Sequence, residues 1–407
     1  MTEPQDRQPP SATDPSDVGR AVRALVLTHV FPRYDGDPSA AFLLTWAQAL
    51  RQAGHDVRVI APHDVGLTEV GMVGGVPVRR VRYADEAHET LAYRGEMHRI
   101  ATRPPFGPPL LGAFVTELAA SLRRAVRRWQ PDVLHVHWWM PGAVITRLAG
   151  VRLPTVVHLH GTDVGVIESR PWLAPLARWA LDGVDRIEVV STSLAERAAG
   201  AIGVVVDGLN PMPVDTERLV PSEHVVSLDV PVILAVGRLV PEKGFADLIS
   251  AAAGLDREVR VRIVGEGPDA TRLRRLAADL DVALELPGSV TPAEVVDEYT
   301  AADVVVQPSH GEGFGLVAAE AAMLGRPLVA TDSGGVRDLL ERGLLVRPGD
   351  IGTLRARLVE ALEDPDLPAV LRAGNRVRRV LSPGSAVERT EEAWRAAIVS
   401  ARTRGVR

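Results

Sequence analysis

Residues 232–244 read VILAVGRLVPEKG, an apolar run followed by a loop that carries two cations, Arg238 and Lys243. The run predicts a buried strand, and the loop lies at its carboxyl end, where open α/β sheets bind their ligands. Lys243 is the single lysine of the chain, against a combined count of 46 Lys and Arg. An ammonium is a compact point charge that suits a tight phosphate site better than the wide guanidinium does. We therefore interpret Lys243 as functional; the alternative is an ordinary surface lysine that survived a drift towards arginine.

Short β-branched runs alternate with amphipathic helical stretches on both sides of this segment, which is typical of parallel α/β layers. The predicted strands are Arg23–Thr28, Val57–Ala61, Val133–His137, Thr155–Leu159 and Ile187–Val190, then Val232–Val236, Val261–Val264, Val304–Gln307 and Leu328–Ala330. The predicted fold class is α/β, with two doubly wound Rossmann-like domains that face each other across a cleft.

The turn-rich segment Asp207–Asp215 is too rich in proline to form a regular element and predicts the linker between the two domains. The predicted organisation is a disordered, proline-rich tail over residues 1–19, a first domain over 20–207 and a second over 208–385. Residues 386–407 are predicted to form a final helix that crosses back to the first domain.

Composition excludes several classes of protein. The formal net charge of −6 gives no indication of nucleic-acid binding, and the absence of cysteine excludes disulfides and thiolate zinc sites. No apolar stretch approaches the roughly 18 residues of a membrane span, so we predict a cytoplasmic location. The apolar stretch 104–111, predicted to be a loop, precedes a helix end with four arginines. Peripheral contact with the inner membrane face is one interpretation, and a solvated basic helix end is the other.

The segment 308–321, PSHGEGFGLVAAEA, predicts a strand end, a glycine-rich turn and a helix that begins near Gly315. Backbone N–H groups at such a helix start bind anions. Glu312 lies in the turn, and Glu320 lies one to two turns into a nearly all-apolar helix. A carboxylate in that setting is either paired or functional.

With these motifs the chain resembles the family-4 retaining glycosyltransferases, which have the two-domain GT-B architecture, from about Ala21 to Ala397. The resemblance rests on ordered motifs rather than on any single one: FP at 31–32, GHDV at 54–57, HVHW at 135–138, HGTD at 160–163, PVD at 213–215, GR at 237–238, EKG at 242–244, GEGP at 265–268, the E-x7-E element at 312–320, SGG at 333–335 and VRPGD at 346–350.

The resemblance implies an enzyme that moves a hexose-type sugar from a UDP- or GDP-sugar to an acceptor hydroxyl on a glycan, a lipid or a small molecule. It implies that the first domain is the acceptor side and that the second binds the nucleotide sugar. Arg238 and Lys243 would neutralise the diphosphate, Glu312 would contact the donor sugar, and Glu320 would bind the ribose. The remaining implied donor-binding positions are Gly313, Phe314, Gly315, Leu316, Gly265, Gly267 and Pro268.

The resemblance also assigns residues to the first domain. His160 would face the sugar as a catalytic residue, and Asp163, Gly36 and Trp138 would lie on the acceptor side, although Trp138 could equally be packing. Two departures from the family pattern concern the loop with a single Gly36, where a glycine pair is usual, and Asp338, where glutamate is usual.

Other interpretations of single motifs are weaker. GEGPDA at 265–270 matches a dinucleotide fingerprint but follows the second strand of its domain. The D-x-D pairs at 35–37 and 279–281, and the alternating histidines at 135, 137, 158 and 160, could suggest a metal. We predict neither a metal nor another cofactor, because two cations already serve the diphosphate. A sugar-nucleotide 2-epimerase and a non-catalytic sugar-binding or assembly protein are the alternative functions.

Overall fold

The structure is a computed structural model that describes residues 20–93, 97–221, 230–340 and 345–405. Two parallel β-sheets, each covered by helices, form two domains, and this confirms the predicted α/β class with two doubly wound units. The predicted tail, residues 1–19, lies outside the described residues. Among the helices in the described ranges, none combines the length and the apolar character that a membrane crossing needs.

The first sheet has eight strands in the order β3-β4-β2-β1-β5-β6-β7-β8, and its pairs are parallel except for the β3–β4 hairpin. The strands are β1 Arg23–Leu27, β2 Asp56–Pro62, β3 Val70–Val73, β4 Val76–Val81, β5 Val133–His137, β6 Thr155–Leu159, β7 Arg186–Val189 and β8 Gly208–Leu209. The helices are α1 Ala41–Gln52, α2 Met97–Ala101, α3 Gly107–Trp129, α4 Val144–Ala149, α5 Thr162–Ser169, α6 Ala174–Leu181 and α7 Thr192–Ile202.

The second sheet has six parallel strands in the order β11-β10-β9-β12-β13-β14. The strands are β9 Val232–Val236, β10 Arg260–Val264, β11 Ala283–Gly288, β12 Val304–Gln307, β13 Leu328–Thr331 and β14 Leu345–Val346. The helices are α8 Phe245–Ala252, α9 Ala270–Asp279, α10 Pro292–Ala301, α11 Leu316–Met323, α12 Val336–Leu339, α13 Ile351–Glu363 and α14 Leu367–Val380.

The order of the second sheet reverses between β9 and β12, which pair directly. A crevice opens at such a switch point, outside the carboxyl ends of the two strands. The loop after β9 carries Arg238 and Lys243, and the loop after β12 carries Glu312. Sheet topology therefore brings these three residues to one place, although Glu312 lies about 70 positions after the two cations along the chain.

The last helix, α15 Pro383–Gly405, leaves the second domain and packs on the first. It meets α1 and the strands β5 to β7. Trp394 is fully buried and donates a hydrogen bond from its indole Nε1 to His135 Nδ1 at 3.1 Å. Trp46 of α1 is also buried, and its Nε1 donates to Thr390 Oγ1 of α15 at 3.0 Å.

All nine predicted strands are present, with ends that differ by no more than one residue. The predicted loop at 104–111 was wrong, because α3 already begins at Gly107 and contains Pro108 and Pro109 in its first turn. Proline lacks the N–H that the first turn leaves unpaired, so it is tolerated there. The β3–β4 hairpin was missed because Pro77, Arg79 and Arg80 interrupt the apolar alternation of its second strand.

Candidate functional site

The loops after β9 and β12 meet in an ion pair between Lys243 and Glu312. Lys243 Nζ lies 2.7 Å from Glu312 Oε2, and both side chains are partly exposed to the cleft. Glu312 also accepts hydrogen bonds from Ser309 Oγ at 3.3 Å and from the Gly313 N–H at 3.2 Å. Arg238 is exposed, and no described residue forms an ion pair or hydrogen bond with its guanidinium. Lys243 is therefore held in place by the Glu312 carboxylate, whereas the Arg238 guanidinium has no such partner among the described residues.

Glycines let the backbone segments of this corner approach each other closely. A Cβ at Gly265 would lie 2.0 Å from the carbonyl oxygen of Gly237, and one at Gly267 would lie 2.3 Å from that of Leu239. The loop after β10 therefore packs directly on the backbone that carries Arg238. Pro268 follows in the turn before α9.

The amino-terminal end of α11 faces the same corner. Gly315 is its N-cap residue at φ 99°, a conformation that favours glycine, and a Cβ there would lie 2.4 Å from Val336 Cγ2. A Cβ at Gly334 would lie 1.8 Å from the Glu312 carbonyl oxygen, so the Gly334–Gly335 pair supports the loop from behind. Phe314 is buried, and Leu316 opens the helix. The Ala318 N–H is already bonded to Gln307 Oε1 at 2.9 Å, so the N–H groups of Leu316 and Val317 are those that remain for an anion.

Glu320 lies further along α11 and accepts a hydrogen bond from Tyr299 Oη at 2.7 Å. Burial raises the pKa of Glu320 to about 7, and the Tyr299 hydrogen bond acts in the opposite direction. Tyr299 is fully buried on α10, and burial together with the Glu320 charge raises its own pKa well above the usual range. Tyr299 was not found from the sequence, because no local pattern links it to α11.

The cleft has two walls, one formed by the loops of the second domain described above and one formed by the first domain. The first domain contributes the loop after β6 to its wall. Asp163 Oδ1 accepts hydrogen bonds from the backbone N–H groups of residues 160, 161 and 164, at 2.9–3.2 Å. Burial raises the pKa of Asp163 to about 6, and these hydrogen bonds lower it. The carboxylate fixes the loop that holds His160, while its buried Oδ2 has no partner among the described residues. The structure thus places Asp163 beneath the loop rather than at its surface.

An aromatic layer lies beside His160. Trp138 packs on His160 with ring centroids 4.3 Å apart and on His29 at 4.5 Å, and Phe42 lies 5.5 Å from His160. Trp138 has φ 65°, which is strained for a bulky residue, and its buried Nε1 has no partner among the described residues. Sequence analysis identified Trp138 but missed His29 and Phe42, which reach it from other parts of the chain.

The two walls touch. A Cβ at Gly161, which has φ 106°, would lie 2.9 Å from Gly313 Cα, and a Cβ at Gly313 would lie 2.5 Å from the His160 carbonyl oxygen. Ser191 Oγ donates to the Gly313 carbonyl at 3.1 Å. Asp338 accepts hydrogen bonds from Thr192 N, at 2.7 Å, and from Thr192 Oγ1. The substituted aspartate of the family motif therefore bonds the amino-terminal end of α7 across the domain boundary.

The first strand–helix loop is held by charge. Arg33 Nε pairs with Asp37 Oδ2 at 2.7 Å, and Asp35 Oδ1 accepts from the Gly74 N–H at 2.7 Å. Gly36 lies between them in an exposed turn at φ 91°. Both aspartates of this D-x-D pair are engaged within the protein, as a structural turn would require.

Two Rossmann-like domains that face a cleft are the architecture of the GT-B glycosyltransferases, and comparison with known proteins gives the family. The profile described as Glycosyltransferase Family 4 matches residues 39–218, and that described as Glycosyl transferases group 1 matches residues 220–378. The chain belongs to this family of glycosyltransferases.

Relatives in the family act on varied substrates. A 2-deoxystreptamine glucosyltransferase of Streptomyces kanamyceticus is 29% identical over 76% of this chain and 89% of its own length. A glycogen synthase of Mycobacterium tuberculosis is 30% identical over 78% and 80%. A sucrose-phosphate synthase from Thermosynechococcus elongatus shares the fold with a TM-score of 0.75 and 18% identity, over 91% of this chain and 98% of its own. The Anabaena protein HepE, solved with UDP and glucose, has a TM-score of 0.70 and 20% identity over the same shares.

Proposed function

We propose that the chain transfers a hexose-type sugar from a nucleoside diphosphate donor, a UDP- or GDP-sugar, to an acceptor hydroxyl with retention of the anomeric configuration. The observation that carries the proposal is the corner formed by Lys243, Glu312 and the free Arg238. A diphosphate placed there would meet two cations and the N–H groups of α11, and the donor sugar would extend towards Glu312 and His160. Glu320, deeper along α11, would accept hydrogen bonds from the ribose.

The proposed reaction follows from this placement. The bond between the anomeric carbon and the diphosphate oxygen breaks with its electron pair on the phosphate, and Arg238 and Lys243 stabilise the charge that develops. The acceptor oxygen forms its bond to the anomeric carbon on the same face, and its proton passes to the departing phosphate oxygen. Glu312 stabilises the positive charge on the sugar ring. The protein contributes position and charge rather than a covalent intermediate.

We further propose that no metal takes part. Two cations already supply the positive charge that a metal would supply to the diphosphate, and Asp35 and Asp37 are engaged in the first loop. Transfer should survive dialysis against EDTA. Loss of activity that manganese restores would contradict this part of the proposal.

The test combines donors and acceptors in a matrix. UDP- and GDP-hexoses would be paired with an aminocyclitol, an inositol phosphate and a glucan, chosen because relatives act on acceptors of these kinds. Release of the nucleoside diphosphate should depend on the acceptor, and proton NMR of the product should give the same anomer as the donor. Product of the opposite anomer would overturn the retaining mechanism, and acceptor-independent change of the donor sugar would indicate an epimerase.

The matched pair Glu312→Gln and Glu320→Gln separates the two carboxylates. Glu312→Gln keeps the size but removes the charge beside the reacting sugar, so kcat should fall with little change in donor Kd. Glu320→Gln should weaken donor binding more than it lowers kcat, because the ribose does not change during the reaction. Loss of affinity alone in both variants would contradict the assignment.

A further inference from the structure

Four histidines lie close together on two neighbouring strands, His135 and His137 on β5, His158 on β6 and His160 directly after β6. Three of them are buried, and His160, at the cleft, is partly exposed. Burial lowers the pKa of His135, His137 and His160 well below the usual range, so these rings are neutral. A neutral imidazole has one N–H donor and one acceptor nitrogen, and its partners decide which is which.

The tautomer of His135 is fixed by the last helix. An indole N–H can only donate, and Trp394 donates it to His135 Nδ1. The acceptor nitrogen of His135 is therefore Nδ1, and its proton lies on Nε2. This nitrogen is buried and has no partner among the described residues.

The next step runs from His135 to His137. A ring nitrogen of each of His135, His137 and His158 lies within 4.8 Å of the other two, and His137 Nε2 is also buried without a partner in the described part of the chain. One water molecule with two hydrogen bonds of about 2.8 Å each spans such a gap. In the arrangement that passes the tautomer on, this water accepts from His135 Nε2–H and donates to His137 Nε2, which places the proton of His137 on Nδ1. A water that accepted from both rings would leave the proton of His137 on Nε2.

The last step reaches the cleft. His137 Nδ1 and His160 Nε2 are 2.9 Å apart. With the proton on His137 Nδ1, His160 accepts at Nε2 and carries its own proton on Nδ1. A divalent metal is the competing occupant of the cluster, since three histidines at this spacing suit zinc. The Trp394 contact argues against it, because it uses the lone pair of His135 and leaves only two rings free to ligate.

We propose that Trp394 sets the tautomer of His160 through His135 and His137, so that His160 presents an Nδ1–H donor to the substrate in the cleft. The inference rests on the proposed function only for the identity of the group that His160 contacts, which would be an oxygen of the donor sugar or of the acceptor. His135 and His137 are positioning residues, and His160 is the residue that makes contact.

The first test measures tautomers without substrate. Long-range proton–nitrogen NMR of the full chain, labelled with 15N histidine and assigned through single His→Gln variants, reads which nitrogen of each ring is protonated. We expect Nε2–H at His135 and Nδ1–H at His137 and His160. An Nε2–H tautomer at His160 overturns the proposal, and so does metal analysis that finds one bound zinc or nickel per chain after EDTA dialysis. An Nε2–H tautomer at His137 together with Nδ1–H at His160 would overturn the route through His137.

The second test uses Trp394→Phe against Trp46→Phe. Both tryptophans are buried between α15 and the first domain, and Trp46 packs on His135 and His137 at 4.7 and 5.0 Å. The Trp46 indole, however, donates to Thr390 instead of a histidine. We expect Trp394→Phe to give a mixture of His160 tautomers and to lower kcat about 5- to 10-fold, whereas Trp46→Phe should leave the tautomer unchanged and kcat within about twofold.

Equal effects of the two substitutions would overturn the proposal. Should Trp394→Phe fail to fold, the same position filled with benzothienylalanine keeps the shape of indole and removes the N–H, and the same change of tautomer is expected. An unchanged His160 tautomer in that variant would also overturn the proposal. Because the NMR readout needs no substrate, a failure here is distinguishable from a failure of the proposed transfer reaction.

Discussion

The two walls of the cleft differ in their polar groups, which are charged on one wall and neutral on the other. The wall of the second domain has full charges at Arg238, Lys243 and Glu312 on loops packed tightly through glycines. The wall of the first domain has neutral histidines, tryptophan and phenylalanine, and its buried carboxylate Asp163 bonds to its own loop. Under the proposed function, the charged wall is the one from which the diphosphate leaves, and the neutral wall is the one that the sugar acceptor approaches.

The difference predicts different responses to substitution. If the charged wall binds the diphosphate as proposed, removing one of its groups directly lowers the electrostatic stabilisation of the leaving group. On the neutral wall, a group acts through the orientation and tautomer that its neighbours impose. Effects there should be smaller and should spread to residues that touch no substrate.

The largest effect is expected at Lys243. Lys243→Ala removes the ammonium beside the proposed diphosphate and should lower kcat by on the order of 10²- to 10³-fold, the range for one transition-state charge donor. Lys243→Arg should recover only part of this, because a guanidinium does not fit the same geometry. Steady-state kinetics with a saturating donor measure both.

Arg275→Ala, which removes an exposed cation from α9 of the same domain, is the control and should leave kcat unchanged. Near-normal activity of Lys243→Ala would assign the single lysine to the surface. The charge at Lys243 would then have no role in the reaction, and the two walls would no longer differ in function on this ground.

A smaller effect is expected where the walls touch. Gly313→Ala places a Cβ 2.5 Å from the His160 carbonyl oxygen of the other domain. We expect the cleft to open to relieve that clash, so that kcat/KM falls about 10- to 100-fold with an unchanged Tm and a larger radius of gyration in solution scattering. Gly311→Ala in the same loop has no atom within 4 Å of the new Cβ and should behave as wild type. A fall in Tm for Gly313→Ala without loss of activity at low temperature would show that the contact matters for stability alone.

The smallest effect is expected at Tyr299. Glu320 has a raised pKa of about 7, so it is protonated below that pH and ionised above it. If the ionised form binds the ribose, UDP or GDP affinity should rise with pH through about 7. Tyr299→Phe removes a hydrogen bond that lowers the pKa of Glu320. The inflection should therefore move to higher pH, and affinity at pH 7 should fall about 3- to 5-fold.

Calorimetric titration from pH 6 to 9 measures this shift. The nucleotide phosphate also titrates near pH 6, so Glu320→Gln provides the reference curve, in which only the phosphate contribution remains. A loss of affinity in Tyr299→Phe that is equal at every pH would show that nucleotide binding does not depend on the ionisation of Glu320.

Sequence patterns predicted the nine central strands of the two sheets, because β-branched runs and turn residues act locally. The strands at the sheet edges, β3, β4, β8, β11 and β14, were not predicted. They also placed Glu312, Lys243 and Arg238 at strand ends that the topology brings together. They did not predict the partners of these residues: the Tyr299 hydrogen bond to Glu320, the Thr192 contact to Asp338, or the burial of His135 under Trp394. Each of these contacts joins separate elements, and its existence depends on how helices pack rather than on any period in the chain.

Because α15 packs on the first domain, the residues that form this domain are not contiguous in the chain. Residues 20–210, which extend the predicted first domain to include β8, would expose the faces of Trp46 and His135 that α15 covers if they were produced alone. A protein that joins residues 383–405 by a short linker to the amino-terminal segment should give a first domain with its core closed. Acceptor binding, which the proposed function assigns to this domain, could then be measured without the second domain.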